Sequence, residues 1–147
     1  MITHTQLVVD SVDPHPLADW WAEALGWAVE PQDETFIRSM VEQGHAEEAD
    51  TTTHRGHLVW RTGAAIRPAE ELDDPQGRRI LFQQVPEAKT VKNRLHLDLR
   101  VDPGTPRADE IARLVAAGAT VLYEASQGPY SWTTLADPQG NEFCVTG

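Results

Sequence analysis

His96 and Asp98 stand two residues apart in HLDLRVD (residues 96–102), and His4 and Gln6 stand two apart in HTQLVVD (residues 4–10). Side chains of an extended chain alternate between faces, so each pair projects from one side of its strand. His4, Gln6 and Val8, with His96, Asp98 and Arg100, make one face. Thr5, Leu7 and Val9, with Leu97, Leu99 and Val101, make the other, mainly apolar face, which is expected to lie beneath helices. A polar, titratable face repeated in both halves of a chain is what a ligand site needs. The imidazole of His96 can equally be satisfied by a hydrogen bond inside such a cleft, and His4, near the chain start, reads as a surface residue. His45, His54 and His57 make a cluster only by count, because His54-Arg-Gly-His57 has no acidic or cysteine partner at a diagnostic spacing. Lys89, Lys92 and Arg94 group together, and are expected to be solvated rather than to form an anion site. Trp60 and Trp132 sit in short strands, where an indole belongs either to the core or to a cleft wall.

The elements that must position these residues follow from the pattern of the chain. Residues 2–10 alternate as a strand. DPHPLADWWAEALGW then reads as a helix, with Asp13 as N-cap, Pro14 in the first position and Gly26 ending it. Leu17, Trp20, Trp21, Ala24 and Leu25 form its apolar stripe. WAVEP predicts a short strand, residues 35–50 are expected to contain an extra helix, 54–63 reads as a strand, 64–77 as a loop and 78–85 as a further strand. After a linker, residues 94–102 repeat the first strand, and TPRADEIARLVAAG the helix, with Thr105 as cap and Gly118 closing it. ATVLY, YSWTTLA and NEFCVTG supply three more strands. The tetrapeptide DPQG precedes the last strand of each half, at 74–77 and 137–140. The order predicts a duplicated βαβββ module in an α+β fold, with a curved mixed sheet around a cleft. Residues 1–147 are read as one domain, with module one at 1–86, the linker at 87–93 and module two at 94–147.

A chain of 147 residues with 40% apolar composition suits one compact domain or two small modules. The net charge of −11 argues against a nucleic-acid-binding surface, which would need a basic stripe. It fits a solvated acidic surface and is also compatible with attracting cationic small molecules. The single cysteine, Cys144, permits no intrachain disulfide and reads as a small buried apolar residue. The start of the chain lacks the pattern of a signal peptide, and no apolar run has the length of a bilayer span. A cytoplasmic protein without membrane or nucleic-acid partners is expected.

DPHPLADWWAEALGW, HLDLRV with ARLVAAGATVL, and ADPQGNEFCV carry a resemblance to the vicinal oxygen chelate superfamily across essentially the whole chain. That superfamily includes glyoxalase I, extradiol dioxygenases, fosfomycin-modifying enzymes and bleomycin-binding proteins. LFQQVPEAKTVKNRLHLDL is similar, more narrowly, to a glyoxalase-like subgroup. The resemblance implies a cleft binding a small molecule, a divalent metal and a homodimer. It implies ligands from the first strand (His or Gln), from the first strand of module two (His) and from the last strand (Glu). His96 holds the second position. Gln6 holds the first when counted back from Asp13, whereas matching HTQ to HLD gives His4 instead. Cys144 occupies the usual Glu position, with Glu142 two residues earlier on the same face. By the DPQG repeat, Leu81 corresponds to Cys144, and Glu142 to Arg79, with which it could form an ion pair. The ligand set is thus incomplete and the cofactor stays unassigned: a hard cation wants oxygen ligands, whereas zinc accepts His and thiolate.

Three functions compete. In the first, a metal on Gln6 or His4, His96 and Glu142 makes the protein a lyase, isomerase or dioxygenase for vicinal-oxygen substrates. Glu142 or Asp98 then serves as an alternative catalytic base. In the second, a metal-free cleft lined by Gln6, His96, Asp98, Trp60 and Trp132 sequesters a cationic natural product or drug. In the third, the protein is a regulatory or scaffold homodimer whose cleft is unused.

Overall fold

The computed structural model describes residues 1–2 and 4–147. Thr3, within the expected first strand, lies outside the described residues. The chain divides into two compact units, Met1–Ala88 and Lys89–Gly147.

In the first unit, β1 (Leu7–Ser11) leads into α1 (Pro14–Leu25) and β2 (Ala28–Val29). Pro14 opens α1 after an extended Asp13, and Gly26 closes it at φ +66°, a left-handed conformation that costs glycine little. Leu17, Ala18, Trp20 and Trp21 are buried, and α1 packs on β5 (Gly63–Arg67) and β6 (Ile80–Gln84). There they meet a core that includes Ala64, Ile66, Ile80 and Phe82. The indoles of Trp20 and Trp21 meet edge to face, with centroids 5.1 Å apart.

The insertion holds the extra helix expected within 35–50. α2 spans Glu34–Glu42, with the Asp33 side chain accepting the Phe36 N–H at its start. A hairpin then replaces the single strand expected over 54–63: β3 (Thr51–His54) pairs with β4 (His57–Trp60) as a separate two-stranded sheet. Its turn, Arg55-Gly56, has φ +49° and +84°, the two left-handed residues of a tight hairpin turn. β5 forms where a loop was expected. Ala64, Ala65 and Ile66 are buried, so this strand is apolar on both faces and shows no alternation.

In the second unit, β7 (Asp98–Arg100) is followed by α3 (Arg107–Ala116), β8 (Thr120–Gln127), β9 (Tyr130–Ala136) and β10 (Glu142–Thr146). The N-cap of α3 is Pro106 rather than Thr105, because Pro106 is extended (ψ 128°) and the helical turn begins only after it. Leu114 is its buried anchor, and the helix packs on β10.

The two units share one topology. The four-stranded sheets run β1-β6-β5-β2 and β7-β10-β9-β8, first strand parallel to the last and the remaining pairs antiparallel. The fold is α+β, built of two βαβββ modules. Both DPQG turns close alike. Asp74 Oδ1 accepts the Gln76 N–H at 2.9 Å and the Gly77 N–H reaches the Asp74 carbonyl at 3.0 Å. Asp137 accepts from Gln139 and Gly140 in the same way, each at 2.9 Å.

Candidate functional site

The strand register decides which residues correspond between modules. Val8 pairs with Leu81 in the first sheet and Asp98 with Cys144 in the second. Leu81 and Cys144 each stand seven residues past the first residue of their DPQG turns. Val8 therefore corresponds to Asp98 and, continuing the register outward, Gln6 to His96. The match of HTQ to HLD is displaced by two residues, and His4 has Arg94 as its counterpart.

One face of the second sheet is built in rows. Asp98, Cys144, Thr134 and Tyr123 lie side by side across β7, β10, β9 and β8. Trp132 and Thr146 form the next row. These side chains, with His96, Glu142 and Lys92, line a cavity of about 350 Å3. Four of the residues expected at the cleft, His96, Asp98, Trp132 and Glu142, thus come together.

His96 Nε2 lies 3.4 Å from Asp98 Oδ1. The donor atoms of His96, Asp98 and Cys144 all lie within 4.8 Å of one another. Asp98 is 59% exposed at its side chain, whereas Cys144 is buried, with Sγ 3.5 Å from the Thr134 hydroxyl.

Glu142 is held differently. Lys89 Nζ lies 3.1 Å from one carboxylate oxygen, and the Asn93 backbone N–H donates to the other at 3.0 Å. Its side chain is only 12% exposed. Burial alone would raise its pKa. The Asn93 N–H and the Lys89 ammonium outweigh that and bring it down to about 2. A carboxylate so held is a fixed anion and a weak base. Its cation is Lys89, from the segment expected to be a solvated linker, while Arg79 is engaged by Glu30 within the first unit.

Gln6 and Trp60 belong to the first unit. Gln6 Oε1, the atom a metal would take, accepts from Arg79 at 2.7 Å. Arg79 and Arg67 both bond the Glu30 carboxylate, which ties this face of the first sheet into an ion-pair network. Trp60 lies in the hairpin, its N–H donating to Gln32 and its carbonyl accepting from His15. His4 is exposed ahead of β1. The histidines of the insertion do find acidic partners, but separate ones: His54 meets Asp19 at 2.7 Å and His57 meets Glu34 at 3.1 Å.

Lys89, Lys92, Tyr123, Thr134 and Thr146 were not anticipated at the site. Alternation along β9, where Trp132 and Thr134 stand two apart, carried the signal for Thr134, whereas an irregularity between Val121 and Tyr123 interrupts it along β8. Nothing local in the sequence singles out Lys89.

Among the described residues, no helix is long and apolar enough to cross a membrane. Solved structures share the fold. A protein from Agrobacterium tumefaciens superposes with TM-score 0.62 at 14% identity, over 100% of this chain and 98% of that one. A genomically encoded fosfomycin resistance protein from Listeria monocytogenes gives 0.60 at 9% identity, over 99% and 93%. A bleomycin-binding protein from Streptomyces verticillus, complexed with copper(II)-bleomycin, gives 0.53 at 13% identity, over 100% and 97%. No curated protein matches the chain. The model of the glyoxalase-like domain matches residues 6–146, and with the two βαβββ modules it establishes that the chain belongs to the glyoxalase-like domain family.

Proposed function

We propose that the protein binds a small molecule in the cavity of the second unit and acts on it with a divalent metal, as a lyase, isomerase or dioxygenase for substrates bearing adjacent oxygens. The observation that carries this reading is the convergence of His96, Asp98 and Cys144 on one cavity wall. Imidazole nitrogen, carboxylate oxygen and sulfur are donors that a transition metal accepts. A bound metal would supply Lewis acidity to a substrate oxygen. Of the ligands the resemblance implies, His96 is retained. We assign Glu142 a supporting role, since Lys89 and Asn93 already hold its oxygens; the oxygen of Gln6, in the first unit, is taken by Arg79. Trp132 offers a flat apolar wall to a planar substrate, and Lys92 a positive charge to an anionic group. A chain with one buried cysteine needs no oxidising compartment to fold, which is compatible with the cytoplasmic location of this reading. The family resemblance supports a homodimer, which light scattering tests.

Thermal unfolding of tag-free protein with Ni²⁺, Zn²⁺, Mn²⁺ and Fe²⁺ tests the reading. At least one ion should stabilise the protein and fail to stabilise His96→Ala. If none does, the metal-assisted mechanism falls.

A second reading has its own support. The exposed Asp98 carboxylate stands in a cavity with Trp132 and Tyr123, a combination suited to a cationic aromatic compound. The bleomycin-binding relative supports sequestration of such a compound without chemistry. Saturable quenching of tryptophan fluorescence by a planar cation in metal-free protein, lost in Trp132→Phe and in Asp98→Asn, would favour it.

A further inference from the structure

Resting on the metal reading above, we infer that the site selects a thiophilic ion, of which zinc is the type, through His96, Asp98 and the thiolate of Cys144, all within the second unit.

The register brings the donors together. Asp98 and Cys144 are paired across the parallel strands β7 and β10, so their side chains rise from neighbouring positions on one face. His96 precedes Asp98 by two residues and approaches it to 3.4 Å. The ligand atoms lie within 4.8 Å of one another, whereas tetrahedral zinc with one sulfur and one nitrogen ligand separates them by about 3.5 Å. His96 and Asp98 are the exposed members and can close that gap by side-chain rotation, while buried Cys144 stays fixed.

The chemistry of the set decides which ion. Mg²⁺ and Mn²⁺ prefer all-oxygen surroundings, and thiolate selects zinc-like ions. Glu142, the oxygen donor that would favour a hard ion, is held by Lys89 and Asn93. The Thr134 hydroxyl, 3.5 Å from Sγ, can donate to the thiolate and orient it, as outer-shell groups do at metal sites. On binding, a metal–sulfur bond forms and the thiol proton passes to solvent. With three protein ligands, a bound zinc would keep a position for substrate or water, as zinc sites with three protein ligands do.

The test titrates reduced, metal-free protein with Co²⁺, a spectroscopic stand-in for zinc, and follows Tm in parallel. A sulfur-to-cobalt charge-transfer band in the near ultraviolet should appear, vanish on adding Zn²⁺, and be missing in Cys144→Ser. That near-isosteric variant should bind Zn²⁺ more weakly by at least ~100-fold, and Thr134→Val by ~10-fold. Co²⁺ binding without the band, and equally tight in Cys144→Ser, would overturn the thiolate assignment and leave a metal site of other ligands. No stabilisation or absorption change with Co²⁺ or Zn²⁺ would overturn this inference and the metal reading together.

Discussion

Replacing Glu142 with Gln removes the one carboxylate of the site that Lys89 and the Asn93 N–H hold ionised against the cost of burial. Its pKa falls from 4.5 to about 2 in the folded protein. A depressed carboxylate pKa stabilises the fold fully above the unfolded value and progressively less as pH falls through the folded one. The gap between the two values corresponds to about 3.5 kcal/mol, at about 1.4 kcal/mol for each pH unit. That is a ceiling, because the cavity admits solvent and screens the pair with Lys89, so we expect about 1–2 kcal/mol. Denaturant unfolding of wild type and Glu142→Gln, from about pH 7 to about pH 2, measures the difference directly. The variant should be less stable by that amount at neutral pH. The difference should shrink below the unfolded pKa of 4.5 and be nearly gone near pH 2. Other carboxylates titrate in both proteins and cancel. A difference that is absent at neutral pH, or constant throughout, would refute the assignment of Glu142 as a clamped anion.

Three further predictions concern the frame around the site. The hydroxyl of Thr133 is buried with no hydrogen-bond partner among the described residues, so Thr133→Val should raise stability by about 1 kcal/mol in denaturant unfolding. Asp137 accepts from the N–H groups of Gln139 and Asn141 and from the Asn141 side chain, and is buried. Asp137→Ala should cost about 2–4 kcal/mol by the same measurement, since it strands those donors at the turn into β10. Arg55 occupies a left-handed position at φ +49°, and its ion pair with Asp19 is 73% exposed on the arginine side. Arg55→Asn should therefore keep or raise stability, by up to ~0.5 kcal/mol; a loss above ~1 kcal/mol would show that the exposed pair matters more than the turn.

The parts of the fold legible in the sequence are those whose signal is local. Pro14, Gly26 and the Leu17–Trp20–Trp21 stripe specify α1 without help from the rest of the chain. The DPQG repeat announced two turns that close through the same bonds. β5 looks like a loop in the sequence because Ala64-Ala65-Ile66, buried throughout, carries no period of two. The β3–β4 hairpin escaped because Arg-Gly, unlike Asn-Gly, does not advertise a left-handed first residue. At the site, alternation placed His96 and Asp98 on one face, and their clustering with Cys144 depends on pairing across strands, which spacing alone does not give. The letter match of HTQ with HLD pointed to His4, whereas strand register makes Gln6 the counterpart of His96. Lys89 was unreadable for a similar reason: its pairing with Glu142 spans 53 residues of chain.

The most direct test of a metal-assisted function is elemental analysis of tag-free protein, wild type beside His96→Ala. A metal-assisted function requires near-stoichiometric metal in the wild type after supplementation and removal of excess ion, and its loss in the variant. Wild-type protein that retains no metal, and gains no stability from any divalent ion, would contradict it and leave metal-free ligand binding as the reading the cavity supports.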